Sequence, residues 1–214
     1  TRRCSLMKKT KRSKKSRSWV IKQHRDQFFK KSKTLGYRSR SAFKLVELNK
    51  KFKFIKNNSN ILDIGCSPGG WSQVASKIVT SGKIISIDIK NMEKINNVIF
   101  LKLDFLEEDT KNTIINECGT KLDVIISDMA ANTTGNKNLD CIRTNLLCAE
   151  VINFAQNVLK KNGIIVAKLF MGEDFLTVIK LAKEKFKKVE FFKPSASRGE
   201  SRETYIHCYS LKTL

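Results

Sequence analysis

Four ionisable residues stand where a folded sheet would gather them. Lys168 interrupts an apolar run, Val166-Ala167-Lys168-Leu169-Phe170, and Asp128 follows another in Ser127-Asp128-Met129-Ala130. Glu203 opens a third in Ser201-Arg202-Glu203-Thr204-Tyr205, and Lys44 lies upstream in Ser41-Ala42-Phe43-Lys44-Leu45. A lysine in a buried strand is costly unless it is paired or used. Burial lowers an amine's pKa and turns it toward accepting protons, whereas neighbouring acids hold it charged and oriented. Two amines and two carboxylates around one hydroxyl can steer an oxygen lone pair and remove its proton. A lysine that snorkels from a strand end is the competing reading, and from residues alone both stay open.

A second group has binding chemistry. The segment Asp63-Ile64-Gly65-Cys66-Ser67-Pro68-Gly69-Gly70-Trp71 puts glycines at a strand-to-helix turn, where a ligand can approach the backbone closely. Helix N-termini there offer free N–H groups. Asp88 ends the next strand and can accept hydrogen bonds from both hydroxyls of an adenosine ribose; Asp104 follows the third strand, within reach of an adenine amino group. The loop has neither GxGxxG nor GxxxxGK[ST], which argues against a dinucleotide dehydrogenase and excludes a P-loop. A purely structural Gly/Pro turn is the alternative.

The elements that must hold these groups follow from periodicity. Asn60–Gly65, Lys83–Asp88, Val98–Leu103, Leu122–Ser127, Gly163–Phe170, Lys188–Phe192 and Glu203–Ser210 read as strands. Trp71–Thr80, Thr110–Cys118, Leu139–Leu159 and Asp174–Phe186 read as helices, with Asn162-Gly163 expected as the glycine cap of the long one. Residues 26–58 read as two helices parted by Gly36-Tyr37, with Phe43, Leu45, Val46, Leu48 and Phe52 on the apolar repeat of the second. Alternation of this kind implies an α/β fold with a mostly parallel sheet covered on both faces.

The chain has 214 residues and a formal net charge of +22, a field that attracts polyanions and points to nucleic acid. No apolar run approaches the ~18 residues of a membrane span, so no membrane is expected as a partner. The six cysteines form no CxxC pair and there are two histidines, which argues against a metal site. Cys66 reads as a small filler. Residues 1–25 contain no acid and are expected to be a disordered basic arm, with one domain over 26–214. Such a leader suits a mitochondrion, a plastid or the nucleus and nucleolus equally.

From Asp26 to Tyr209 the chain resembles the FtsJ/RrmJ family of RNA ribose 2′-O-methyltransferases. The landmarks are Gly36-Tyr37-Arg38-Ser39-Arg40-Ser41-Ala42-Phe43-Lys44-Leu45, Asp63-Ile64-Gly65, Pro68-Gly69-Gly70-Trp71-Ser72-Gln73, Ser127-Asp128-Met129-Ala130, Val166-Ala167-Lys168 and Ser201-Arg202-Glu203-Thr204-Tyr205. The resemblance implies a Rossmann-like methyltransferase fold, a seven-stranded sheet with its last strand antiparallel. It implies a catalytic tetrad at Lys44, Asp128, Lys168 and Glu203, with Lys168 as proton acceptor. It implies S-adenosyl-L-methionine as cofactor, held by Gly65, Gly69, Trp71, Asp88, Asp104 and Asp128. Methyl transfer to an alcohol needs an oxygen lone pair in line with the methyl–sulfur bond and loss of the hydroxyl proton, which suits that tetrad.

Ser-Asp-Met-Ala is similar to the large-subunit rRNA branch, so the expected activity is methylation of a uridine ribose 2′-hydroxyl in that rRNA, by a monomer acting on rRNA or the ribosomal subunit. Arg38, Arg40, Lys193, Arg198 and Arg202 are expected to grip RNA phosphates. A tRNA or mRNA-cap 2′-O-methyltransferase and an inactive RNA-binding assembly factor are the alternatives. Two departures stand out: Ala130-Ala131-Asn132 replaces the family's Ala-Pro-Asn beside Asp128, and Cys66-Ser67-Pro68-Gly69 replaces Ala-Ala-Pro-Gly.

Overall fold

Seven strands pair edge to edge into a single sheet in a computed structural model that describes residues 26–212. The basic arm expected over residues 1–25 lies outside the described residues. The strands are β1 (Ile61–Ile64), β2 (Ile84–Asp88), β3 (Val98–Lys102), β4 (Leu122–Ser127), β5 (Leu159–Phe170), β6 (Phe186–Phe192) and β7 (Glu203–Leu211). Their order is β3-β2-β1-β4-β5-β7-β6, and β7 alone runs against its neighbours. The expected α/β, mostly parallel sheet with an antiparallel last strand is what forms. The order reverses between β1 and β4, which opens a crevice beyond the carboxyl ends of the central strands.

Helices cover both faces. On one lie α1 (Gln27–Thr34), α2 (Ala42–Phe52) and α3 (Gly70–Ile78); on the other lie α4 (Glu108–Cys118), α5 (Lys137–Val158) and α6 (Phe175–Lys185). Asp26 caps α1 by accepting from the Phe29 amide at 3.1 Å, and Asn136 caps α5 by accepting from Asn138 and Leu139. Strand side chains alternate between two cores. Ile165, Ala167, Leu169, Ile206 and Cys208 face α4–α6, while Val166 and Tyr205 face α2 and α3. Lys168 shares the parity of Val166, and Glu203 that of Tyr205. The β5–β7 register sets Lys168 opposite Tyr205 and Phe170 opposite Glu203, so amine and carboxylate are diagonal neighbours on the α2 side.

Two local expectations are corrected, the cap of the long helix and the burial of Val46. The long helix ends at Val158 on an extended Leu159 rather than on a glycine cap, and β5 begins at once. The β4–β5 register jumps there, from Leu122↔Leu159 to Val124↔Ile164. Gly163 lies inside that bulge, and a Cβ on it would run into the Leu159 side chain, so its small size serves a close approach within the strand. Val46, placed by periodicity on the buried repeat of α2, is 40% exposed. Leu146 on α5 is 59% exposed, because its flank of the helix faces the crevice rather than the core.

Candidate active site

The four ionisable residues converge. Lys168, two residues before the end of β5, is 8% exposed, and its Nζ lies 2.7 Å from Asp128 Oδ1 while donating to the Asp128 carbonyl at 3.0 Å. Glu203 Oε2 is 3.7 Å from the same amine. From α2, the Lys44 Nζ pairs with Glu203 Oε1 at 2.7 Å and lies 4.0 Å from Asp128. Acids flank the amine on both sides, so Lys168 does not snorkel to bulk water. Its partners come from three separate elements, which explains why no short motif announces the set.

Two hydroxyls escaped the reading of the residues. Tyr205 donates to Asp128 Oδ1 at 2.6 Å, and Ser197 donates to Glu203 Oε1 at 2.6 Å. The signal for Tyr205 was its spacing, two residues after Glu203 on the same strand face. Ser197 sits in the β6–β7 connection, where no periodicity points.

Electrostatics keep the cluster ionised. Burial works to raise Asp128, but the Lys168 and Lys44 charges outweigh it and hold the carboxyl below its ordinary range. Glu203 is lowered in the same way, against burial and the Asp128 charge. Burial works to lower Lys168, and the Asp128 and Glu203 charges reverse that, leaving it above its ordinary value. Burial and the same two acids push Tyr205 up, so it stays a phenol and a donor. The resting state therefore holds the Lys168 ammonium between two carboxylates.

Beside the cluster lies a cavity of about 510 Å³ over the switch point. Gly65, Asp88, Asp104 and Asp128 all line it. Gly65 has φ +77°, and a Cβ there would enter the Met129 side chain, so glycine lets the β1 and β4 ends close together. Asp88 is fixed by the Ser67 and Lys90 amides, each at 2.8 Å, and Asp104 accepts from the Leu106 amide at 3.0 Å. Each carboxylate keeps lone pairs for a ligand. Ile89 (56% exposed), Leu106 (53%) and Leu146 also line the cavity; exposed apolar side chains gathered around one concavity mark a ligand surface. These three were missed from sequence, although Ile89 and Leu106 closely follow the acids that end the cavity strands.

Not every expected contact lines the cavity. Gly69, at φ +104°, begins α3 and packs under Met92 and Arg38. Trp71 is buried against Tyr205, and its indole donates to the Ser41 carbonyl at 2.9 Å, which fixes the start of the helix that carries Lys44. Neither residue is among those that line the cavity. Asp63, just before the glycine loop, is fully buried, and burial above all pushes its carboxyl up to about 7, against a 2.6 Å bond from Ser72. Burial also drives the Cys66 thiol well up, in keeping with a filler.

The basic residues expected to grip RNA divide. Arg38 donates to the Glu93 and Lys94 carbonyls at 2.6 and 2.8 Å, stapling two loops. Arg40 pairs with Asp26 and donates to the Ala196 carbonyl. Lys193 donates to the Gly199 and Ser201 carbonyls, and Arg202 to Asn138. Arg198 is exposed.

A model of FtsJ-like methyltransferases matches residues 37–211. The chain belongs to that family. The FtsJ-like match is supported by "Ribosomal RNA large subunit methyltransferase E" of Pelagibacter ubique, 45% identical over 92% of this chain and 97% of the relative. The protein of the same description from Rickettsia akari is 46% identical over 92% of this chain and 89% of its own length. A solved chain from Plasmodium falciparum, described as a ribosomal RNA methyltransferase, superposes with a TM-score of 0.70 at 32% identity, over 82% of this chain and 98% of that one. Asp128 belongs both to the cavity lining and to the ion cluster.

Proposed function

We propose that the chain transfers a methyl group from S-adenosylmethionine to a ribose 2′-hydroxyl, on uridine, of large-subunit rRNA. The observation that carries this reading is the double membership of Asp128, which lines the cavity and holds Lys168 at 2.7 Å. The residues present fit the cofactor. Asp88 and Asp104 offer fixed acceptors to hydroxyl and amino donors, Ile89, Leu106 and Leu146 offer an apolar slot, and the cavity falls within the ~300–1,000 Å³ of small-molecule sites. S-adenosylmethionine supplies a methyl group activated on a sulfonium. The rRNA substrate is supported by the relatives that share over 40% of their residues with the chain along nearly its whole length.

The chain's own residues have separable tasks. Asp128 and Glu203 hold the Lys168 amine between them, and Lys44 and Ser197 hold Glu203. An acceptor hydroxyl placed beside that amine has its lone pair directed and its proton within reach. The resting amine is charged, so Nζ gives up a proton to solvent before it takes the one on the hydroxyl. A further positive charge brought close favours that release. The test is to map 2′-O-methyl groups in large-subunit rRNA from cells with and without the protein, and to restore them in vitro with purified chain. Loss and recovery of methylation at one uridine is expected. An unchanged map, with no methyl incorporated into unmodified subunits, contradicts the reading.

A further inference from the structure

A second concavity lies on the outer flank of α2, away from the cofactor cavity. Phe28, Phe43, Val46 and Phe192 form its apolar wall, and Lys31, Lys50 and Lys51 stand around it. Phe28 and Phe43 meet with ring centroids 5.6 Å apart, and the Lys31 ammonium lies 5.4 Å from the Phe43 centroid. Lys50 and Lys51 are exposed, and among the described residues their side chains make no hydrogen bond or ion pair. That contrasts with Arg38, Arg40, Lys193 and Arg202, each of which is already bonded within the chain.

The acid in the groove, Glu47, is fully engaged: it accepts from the Ser195 amide and hydroxyl and from the Ala196 amide, at 2.6, 2.8 and 3.1 Å. Its charge is spent on the turn that leads to Ser197, and so to Glu203. Lys44 and Glu47, three positions apart on α2, thus put the ion cluster and the groove on adjoining flanks of one helix.

We propose that this groove binds an unpaired nucleotide of the RNA substrate, its base against the partly exposed Phe28 and Phe192 and its phosphates at Lys50 and Lys51. Aromatic surface beside uncommitted cations is the chemistry of single-stranded nucleic-acid binding, since every base has a π-face and every linkage a charge. The inference rests on the RNA-methyltransferase reading for the identity of the strand, and on the groove itself for the contact. It assigns RNA recognition to a surface reached by following α2, on residues other than the arginines and Lys193 expected from sequence.

The test uses the full chain in two variants, Lys50→Glu/Lys51→Glu and Phe28→Leu. Affinity for a short fluorescein-labelled single-stranded RNA is read by anisotropy across salt concentrations, and KM for large-subunit rRNA with tritiated S-adenosylmethionine. The charge reversal alters two exposed side chains in the last turn of α2, and circular dichroism of the variant is expected to match the wild type. It is expected to weaken RNA binding about tenfold and to flatten the log–log salt slope by roughly 0.7 per lost phosphate contact. KM for rRNA rises in proportion, while the Kd of S-adenosylmethionine is unchanged. Phe28→Leu, which keeps apolar bulk but removes the ring, is expected to weaken binding severalfold without changing the salt slope. Wild-type RNA affinity in both variants overturns the groove, as does a groove that takes up an acidic peptide and not RNA. A wild-type protein that bound RNA through these residues but methylated no rRNA would leave the groove standing and overturn the proposed function instead.

Discussion

The cofactor cavity and the ion cluster meet at Asp128 and are built by opposite rules. The cavity leaves apolar side chains in water and pins its acids with backbone amides, so its surface is ready for a ligand and its carboxylates need no reorganisation. The cluster hides four charges and satisfies them with one another, so each residue depends on the rest. On the proposed function, binding strength is spread over independent contacts, whereas the chemistry is concentrated in one interdependent set. Substitutions in the two regions should fail differently.

Asp128→Ala should do the most damage, because it strikes both regions. Removing one partner from a buried ion pair costs about 3–5 kcal/mol, and the loss of a charge at the reacting centre slows transfer by roughly 10²–10³-fold or more. Urea unfolding and single-turnover methyl transfer check the two parts; a variant as stable and as fast as the wild type would dissolve the link between cavity and cluster. Asp88→Ala should strike the cavity alone. Loss of a charged acceptor worth about 1.5–3 kcal/mol raises the Kd of S-adenosylmethionine by roughly 10–100-fold, with the unfolding midpoint near that of the wild type. Calorimetry that finds unaltered affinity would remove Asp88 from the cavity's function.

The smallest effect sharpens the comparison through pH. Asp63 belongs to neither ion pair, and its folded pKa, about 7, lies above the unfolded ~3.9. The native state therefore binds more protons between those values, and this group's contribution to stability falls as pH rises from about 4 through about 7. Asp128 and Glu203 have the opposite sign: their folded values are depressed, so their contribution is present above the ordinary carboxylate range and is lost as pH falls through the folded values. Lys168, raised, contributes below its ordinary value and loses that contribution only as pH rises through its folded one. Between pH 5 and pH 8 the cluster is flat and Asp63 slopes. Asp63→Asn should remove that downward slope in urea titrations at the two pH values and leave the opposite contribution of His207, whose folded value burial lowers; a downward slope that survives contradicts the assignment to Asp63.

Legibility from sequence followed distance along the chain. Strand boundaries other than the start of β5, and the cover of both sheet faces, were readable because apolar runs and strand-end acids are local patterns. The tetrad was readable as four suspicious residues, and the resemblance joined them; their contact depends on the β5–β7 register and on α2 lying over that face, neither of which any short segment encodes. Gly163 misled because a glycine after a helix has two uses, a cap or a close approach, and the β5 bulge took the second. The partners of Arg38 and Arg40 were not legible either, because they depend on the fold: one meets loop carbonyls and the other Asp26. The aromatic groove was invisible for the same reason that made it persuasive in space, since Phe28, Lys51 and Phe192 come from three separate stretches of chain.

On the proposed function, the Lys168 amine, held by two acids beside the switch-point cavity, does the proton chemistry and little of the binding. Single turnover by Lys168→Ala, preloaded with tritiated S-adenosylmethionine and mixed with unmethylated large-subunit rRNA, tests it most directly. Cofactor retained at close to wild-type affinity, with no label in the RNA, is the expected result. Label appearing at the wild-type rate would contradict it.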